Sequence, residues 1–142
     1  MKEIREIIMR YENTDFEKES IALATVVKVE ASSYRRIGAR MLVSSSGQWI
    51  GGISGGCLEG DALRRSQQAI YSKVPSTVVY DTMDDDENEI GVGLGCNGRI
   101  EVLFIPINPD DEYNPIELLK QIVKLNKPIV LVTTFNLSLI HI

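Results

Sequence analysis

Apolar positions recur along the chain with two periods, and the switches between them mark out the elements. Ile4, Ile7, Ile8 and Tyr11 stand at i, i+3, i+4 and i+7, with Glu3, Arg5, Glu6, Arg10 and Glu12 on the other face, which predicts an amphipathic helix over 2–13. Residues 21–30 are rich in valine and alanine and free of glycine and proline. They predict a strand buried on both faces at its start and polar at its end. Residues 40–44 and 48–53 predict a hairpin closed by Ser45-Ser46-Gly47. Ala62, Leu63, Ser66, Ala69 and Ile70 fall at helical spacing, with Ser66 the one polar member, and Pro75 bars extension of that helix beyond Lys73. Residues 77–81 and 99–105 read as short strands. Asn114 reads as an N-cap, with Pro115 at the first helical position and Glu117 at the third. Ile116, Leu119, Ile122 and Val123 give this helix its apolar face, and Asn126 and Pro128 end it. Residues 129–133 read as one more buried strand, and 136–142 carry no pattern.

Strands and helices linked by both hairpins and crossovers predict an α/β fold, a mixed β-sheet with packed helices, as a single domain over 1–135. The most apolar strands, 21–30 and 99–105, belong at its centre. A chain of 142 residues, 44% hydrophobic and 25% charged, can bury a real core. The net charge of −5 argues against a nucleic-acid partner. No apolar run approaches the roughly 20 residues that span a bilayer, which argues against a membrane role. The charged N-terminus lacks the apolar core of a signal peptide, and two cysteines 39 positions apart make no disulfide scaffold. A cytoplasmic protein with reduced thiols is the expectation.

Candidate chemistry gathers at Gly51–Asp61, where five of eleven residues are glycine and surround Cys57. A strand precedes this stretch and a helix follows, so the glycines form a strand-to-helix turn. Unpaired amides and the positive end of the helix dipole meet in such a turn, which binds anions and lowers a thiol pKa. The only other cysteine, Cys96, lies in a second glycine cluster, Gly91–Gly98. Each cysteine taken alone reads as a buried apolar residue. Both together, in the two glycine clusters, point to a shared thiol site whose turns meet in the fold. Arg35, Arg36 and Arg40 read either as a solvated basic loop or as a bidentate clamp for a phosphate or carboxylate. The second cluster fails the dinucleotide fingerprint in its residues and in its context, because a strand follows it. Tight NAD or ATP binding is therefore not expected. The acidic run 84–89 lacks the glycine and distal glutamate of an EF-hand and reads as solvated. The single histidine, His141, lies in the tail, which leaves the domain without the usual general base and the usual second ligand of a zinc site, and two cysteines alone do not close a four-coordinate zinc.

Four stretches, 32–43, 51–60, 80–82 and 91–100, resemble the XdhC/CoxI accessory family in order and spacing. The resemblance implies a maturation chaperone rather than an enzyme. Such a protein binds the molybdenum cofactor (molybdopterin) and helps sulfurate and insert it into xanthine dehydrogenase or carbon monoxide dehydrogenase. It implies a molybdenum hydroxylase apoenzyme as client, a cysteine desulfurase as sulfur donor, and a homodimer. By that reading Cys57 and Cys96 are possible molybdenum thiolate ligands. Ser54, Gly55, Gly56, Glu59, Gly95 and Asn97 line the cofactor, and Arg35, Arg36 and Arg40 clamp its phosphate. Longer relatives carry a C-terminal Rossmann-like domain; here no fingerprint marks one, as in a single-domain member or a truncated chain. Two alternatives stand beside this reading: a thiol–disulfide oxidoreductase using Cys57 and Cys96, and a plain protein-interaction module.

Overall fold

The computed structural model describes residues 1–31, 36–81 and 98–135. In chain order it holds α1 (Lys2–Glu12), β1 (Ile21–Glu30), β2 (Arg40–Ser44), β3 (Trp49–Gly51), α2 (Glu59–Ser72), β4 (Ser76–Asp81), β5 (Arg99–Pro106) and α3 (Pro115–Lys124). The strands form one sheet in the order β3-β2-β1-β5-β4. The α/β class holds, and β1 and β5 lie inside the sheet as their apolar content predicts. Every pairing among the described strands is antiparallel, so the mixed sheet expected from the sequence is corrected. The crossover through α2 carries the chain from one edge strand to the other, and in this order that return still leaves each strand opposed to its neighbour.

Alternation along the strands separates two cores. Ala24 and Val26 of β1, Met41 and Val43 of β2, and Ile100, Val102 and Phe104 of β5 face α2. Ile21 and Leu23 of β1, with Leu42 of β2, face Ile7 and Tyr11 of α1 and Ile116 of α3. The sheet is thus covered by α2 on one face and by α1 and α3 on the other. The buried positions of α2 are all small or short: Ala62, Ser66 and Ala69, together with the Glu59 discussed below. Small residues let a helix axis come close to a sheet, and β1 meets α2 with alanine at 24.

Local signals place the ends of the elements. The Asn114 Oδ1 accepts from the Ile116 and Glu117 amides at 3.0 and 3.1 Å, capping α3 as its sequence predicts. Its Nδ2 donates to the Tyr11 hydroxyl at 3.2 Å, which ties that cap to α1. Helix α2 stops at Lys73, in the left-handed conformation with φ 59°, and its amide donates to the Ala69 carbonyl. Gly51 closes β3 with φ 80°, and a Cβ there would lie 2.3 Å from the Arg40 carbonyl oxygen, so only glycine fits this crossing. The strand expected at 129–133 does not form: Val130 and Val132 are 85% and 73% exposed. An apolar β-branched run becomes a strand only when a neighbour pairs with it, and none of the described strands does. The tail 136–142, with His141, lies outside the described residues.

The Ser66 hydroxyl is fully buried between α2 and the sheet, and no hydrogen-bond partner reaches it among the described residues. A buried unsatisfied hydroxyl costs on the order of 1–3 kcal/mol, while its replacement by a methyl hydrogen changes the volume little. Ser66→Ala is therefore expected to raise stability in urea by about 1 kcal/mol. A lower midpoint for this variant would mean that the hydroxyl is satisfied in solution.

Candidate functional site

The antiparallel order sends three connections out of one end of the sheet. The last residue of β1, the first of β2, the last of β3, the last of β4 and the first of β5 all lie there. That end is stepped. Arg40 pairs with Thr25, but β1 runs five residues further, to Glu30 opposite Arg99. The loop before β2, the 51–58 turn, and the chain leaving β4 and entering β5 therefore share this stepped end. The sequence expectation that the strand before Cys57 and the strand after Cys96 finish at one end of the sheet agrees with this topology.

The turn is organised by one carboxylate. Glu59, the first residue of α2, points back into the loop that precedes it. Its Oε1 accepts from the Ile53 and Ser54 amides, each at 3.0 Å. Its Oε2 accepts from the Ser54 hydroxyl at 2.6 Å and from the Gly56 amide at 2.8 Å. The Ser54 Oγ in turn accepts from the Leu58 amide at 2.9 Å. Glu59 is 7% exposed. Burial raises its pKa, but the Ser54 hydroxyl and the Ser54 and Ile53 amides outweigh burial and bring it from 4.5 down to about 2. The amides expected to stand open for an anion are thus largely filled by an anion of the chain itself. Glu59, read from the sequence as lining the cofactor, is directed into its own turn.

What the turn presents outward is Gly55, Gly56 and Cys57. Both glycines are exposed, with φ 91° and 128°, conformations that side chains rarely adopt. A Cβ on Gly56 would meet nothing within 4 Å, so its outer face is open. Cys57 is half-buried against the α2-side core, one residue before the helix cap Leu58. It is disulfide-bonded, in contrast to the reduced thiol expected. The chain's other cysteine, Cys96, lies outside the described residues, as do Gly95, Asn97 and Arg35. Arg36 is exposed. Arg40 is partly buried, burial lowers its pKa, and its Nη1 donates to the Gly38 carbonyl at 2.7 Å. One arm of the expected arginine clamp is thereby committed to its own loop. Among the described residues no group of three or more His, Cys, Asp or Glu could hold a metal, and no helix is long and apolar enough to cross a membrane.

Two residues beside the turn carried no role in the sequence reading. Asp61, in the first turn of α2, has a side chain only 5% exposed. It accepts from the Tyr80 hydroxyl of β4 at 2.6 Å and is paired with Arg64 and Arg65. Burial raises the Tyr80 pKa and the Asp61 carboxylate raises it further, so the phenol stays protonated. The signal was available, since Tyr80-Asp81-Thr82 is one of the family-like stretches; what it lacked was the partner on α2. On the opposite face, a cavity of about 520 Å³ is lined by Arg10, Ile21, Leu42, Ser44, Gln48, Trp49 and Ile50. Arg10 is ion-paired to Glu19 at 2.6 Å, and the Ser44 hydroxyl is hydrogen-bonded to that of Ser46.

An antiparallel sheet that delivers a carboxylate-braced glycine turn with a cysteine before a helix defines the class, and the comparisons with known proteins agree. The model of the XdhC and CoxI family matches residues 17–81, from just before β1 to the end of β4. The chain is 44% identical over 87 residues to a protein of Bacillus subtilis (strain 168) named as a probable xanthine dehydrogenase subunit; the match covers 61% of this chain and 26% of that protein. It also resembles a crystal structure of a xanthine dehydrogenase from Bacillus halodurans, with a TM-score of 0.68 and 38% identity over 85% of this chain and 34% of that one. The chain thus spans about a quarter to a third of these relatives.

The folded pKa of Glu59 is depressed, so its contribution is complete above about pH 4.5 and fades as pH falls through about 2. A shift of this size corresponds to about 3 kcal/mol. Glu59→Gln is expected to lose about that much stability at pH 7, because its amide presents a donor to donors, and to differ little from wild type near pH 2. Urea titrations across this range check it. A constant gap between the two proteins at all pH values would show that the carboxylate charge is not what braces the turn.

Proposed function

We propose that this chain supplies the cysteine-bearing part of a maturation factor for a xanthine-dehydrogenase-type molybdenum hydroxylase, acting on the molybdenum cofactor rather than on a metabolite. The observation that carries this reading is the braced turn: Glu59 fixes residues 53–56 so that Cys57 and the bare faces of Gly55 and Gly56 stand at the open end of the sheet. The family match over 17–81 and the names of the relatives support it.

The residues present fit the cofactor unevenly. The thiol side fits, because a soft thiolate suits a soft, sulfur-ligated metal and the open face of Gly56 admits close approach of a planar ligand. The anion side fits less well, because Ile53, Ser54 and Gly56 donate their amides to Glu59. In this reading the phosphate is met by arginine, by Arg36 and by Arg35, which precedes it in the sequence, and not by the turn. When bound, the cofactor supplies the sulfur-ligated molybdenum that the client enzyme uses. Cys57 and Cys96, once reduced, hold it; a cysteine desulfurase supplies sulfur; the chain acts as a homodimer in the cytoplasm. The disulfide at Cys57 is the one observation that favours a second reading, a thiol–disulfide oxidoreductase. The 39 positions between the two cysteines are unlike the close cysteine pairs of such enzymes.

Expression of this chain in a host that makes molybdenum cofactor, followed by assay of the purified protein for molybdenum and pterin, separates the two. The maturation reading expects both to copurify with the wild type and both to be lost in Cys57→Ser and Cys96→Ser, with melting temperatures within a few degrees of the reduced wild type. Absence of molybdenum and pterin from the reduced wild-type protein, with turnover of a model disulfide in its place, would establish the oxidoreductase instead.

A further inference from the structure

We propose that residues 129–135 form the pairing strand of a two-fold dimer, in which the run of one chain lies antiparallel to the same run of a second copy, with Val132 opposite Val132. The inference deepens the homodimer reading above by naming its surface, and it rests on that reading for the number of copies.

Three observations carry it. First, this is where the chain leaves apolar surface uncovered. Of the thirteen large hydrophobics that stand exposed among the described residues, five fall within eleven positions: Leu125, Ile129, Val130, Val132 and Phe135. Single exposed apolar residues are ordinary, whereas a contiguous stretch marks an interaction surface. Second, the run has what a strand needs except a neighbour. Ile129, Leu131 and Thr133 repeat Ile21, Leu23 and Thr25 at the same spacing, with valine where β1 has alanine at 22 and 24. In β1 that pattern is held between β2 and β5 at the centre of the sheet. In 129–135 exposure already alternates with the period of a strand: Ile129 and Phe135 are 38% and 36% exposed and Leu131 is half-buried, against 85% and 73% for Val130 and Val132. Yet among the described residues no strand pairs with this run, and its backbone makes no hydrogen bond. Third, the run complements itself. It carries no charge from Pro128 to Phe135, so two antiparallel copies oppose no like charges. A two-fold axis through Val132 sets Leu131 against Thr133, Val130 against Thr134 and Ile129 against Phe135, largely β-branched and aromatic pairs of the kind that stabilise a ladder. The edges of the described sheet match it less well, since β3 offers only three residues and β4 ends on Asp81. An apolar strand without a guarding charge pairs with another such strand, and an isologous pair closes at two copies.

The symmetry supplies the test. The full 142-residue chain is sized by sedimentation equilibrium over a range of concentrations and is expected to dimerise. Val132→Lys sets two ammonium groups opposite each other on the axis and is expected to weaken the dimer by about tenfold or more. Its circular dichroism is expected to match wild type, because Val132 is exposed in the single chain. Val79→Lys, at an exposed valine of the edge strand β4, is the control and is expected to leave the dimer unchanged. Cysteines test the register under glutathione disulfide, with bonds mapped by mass spectrometry. Val132→Cys is expected to form an intermolecular 132–132 bond, because facing residues of an antiparallel pair have Cα atoms about 4.5–5.5 Å apart, within disulfide range. Val130→Cys is expected to form none, because four positions along the ladder separate it from its copy by about 13 Å. A wild type that stays monomeric into the hundreds of micromolar, with the run folded onto its own chain or reserved for a different protein, would overturn the proposal. So would a dimer that Val132→Lys leaves intact, or one that Val130→Cys cross-links as readily as Val132→Cys. The assay contains no cofactor, so a failure of this interface and a failure of the maturation reading register in different experiments.

Discussion

The Glu59 carboxylate is the interaction on which the functional end of this protein depends. A loop of glycines between a strand and a helix has no intrinsic shape, because glycine gives up more conformational freedom on folding than any other residue. Here one side chain accepts three amides and a hydroxyl from residues 53–56 and thereby replaces a regular ladder. Its charge also sits at the positive end of α2, with Asp61 one half-turn on, so the helix dipole and the loop amides stabilise the same anion. What would otherwise be a general anion site becomes an internal brace. The cysteine before the helix cap is then presented by a loop that is rigid without a ligand, which lowers the ordering cost of binding one.

The rest of the fold serves to hold that brace in place. The sheet is stepped because β1 and β5 outrun β2 and β3, and the turn fills the step. Helix α2 reaches from the turn to the far edge strand only because it lies close on the sheet through Ala62, Ser66 and Ala69. Gly51 allows the chain to leave β3 directly over the Arg40 carbonyl. The other face, with α1 and α3 joined through Asn114 and Tyr11, is an ordinary apolar layer and contributes stability rather than chemistry.

Much of this was legible in the sequence where a local rule decides. Helix periodicity gave α1, the cap of Asn114 and Pro115 gave the start of α3, and the β-branched runs gave β1 and β5 nearly to the residue. The hairpin of β2 and β3 and the position of Cys57 before a helix followed from glycine and serine punctuation. Three features were not legible, for one reason: each depends on a partner distant in sequence or on where a side chain points. The strand orientation depends on where the α2 crossover returns. The run 129–133 has strand composition but pairs with no described strand. The open amides were inferred from the glycines, whereas a glutamate at 59 of a Gly-x-x-Glu order reads equally well as a ligand or as a brace, and only its direction settles which. Asp61 and Tyr80, nineteen positions apart, show the same limit.

The central claim is that the turn amides belong to Glu59 and not to a ligand. It is tested most directly by amide NMR on the reduced protein, with the Ile53, Ser54, Gly55, Gly56 and Cys57 resonances followed as inorganic phosphate and then molybdopterin are added. The Ile53, Ser54 and Gly56 amides are expected to exchange slowly with solvent before any addition and to keep their positions throughout, while molybdopterin moves Gly55 and Cys57. Fast exchange at those three amides, with saturable shifts on adding phosphate, would mean that the carboxylate leaves the loop and that the turn is an anion site after all.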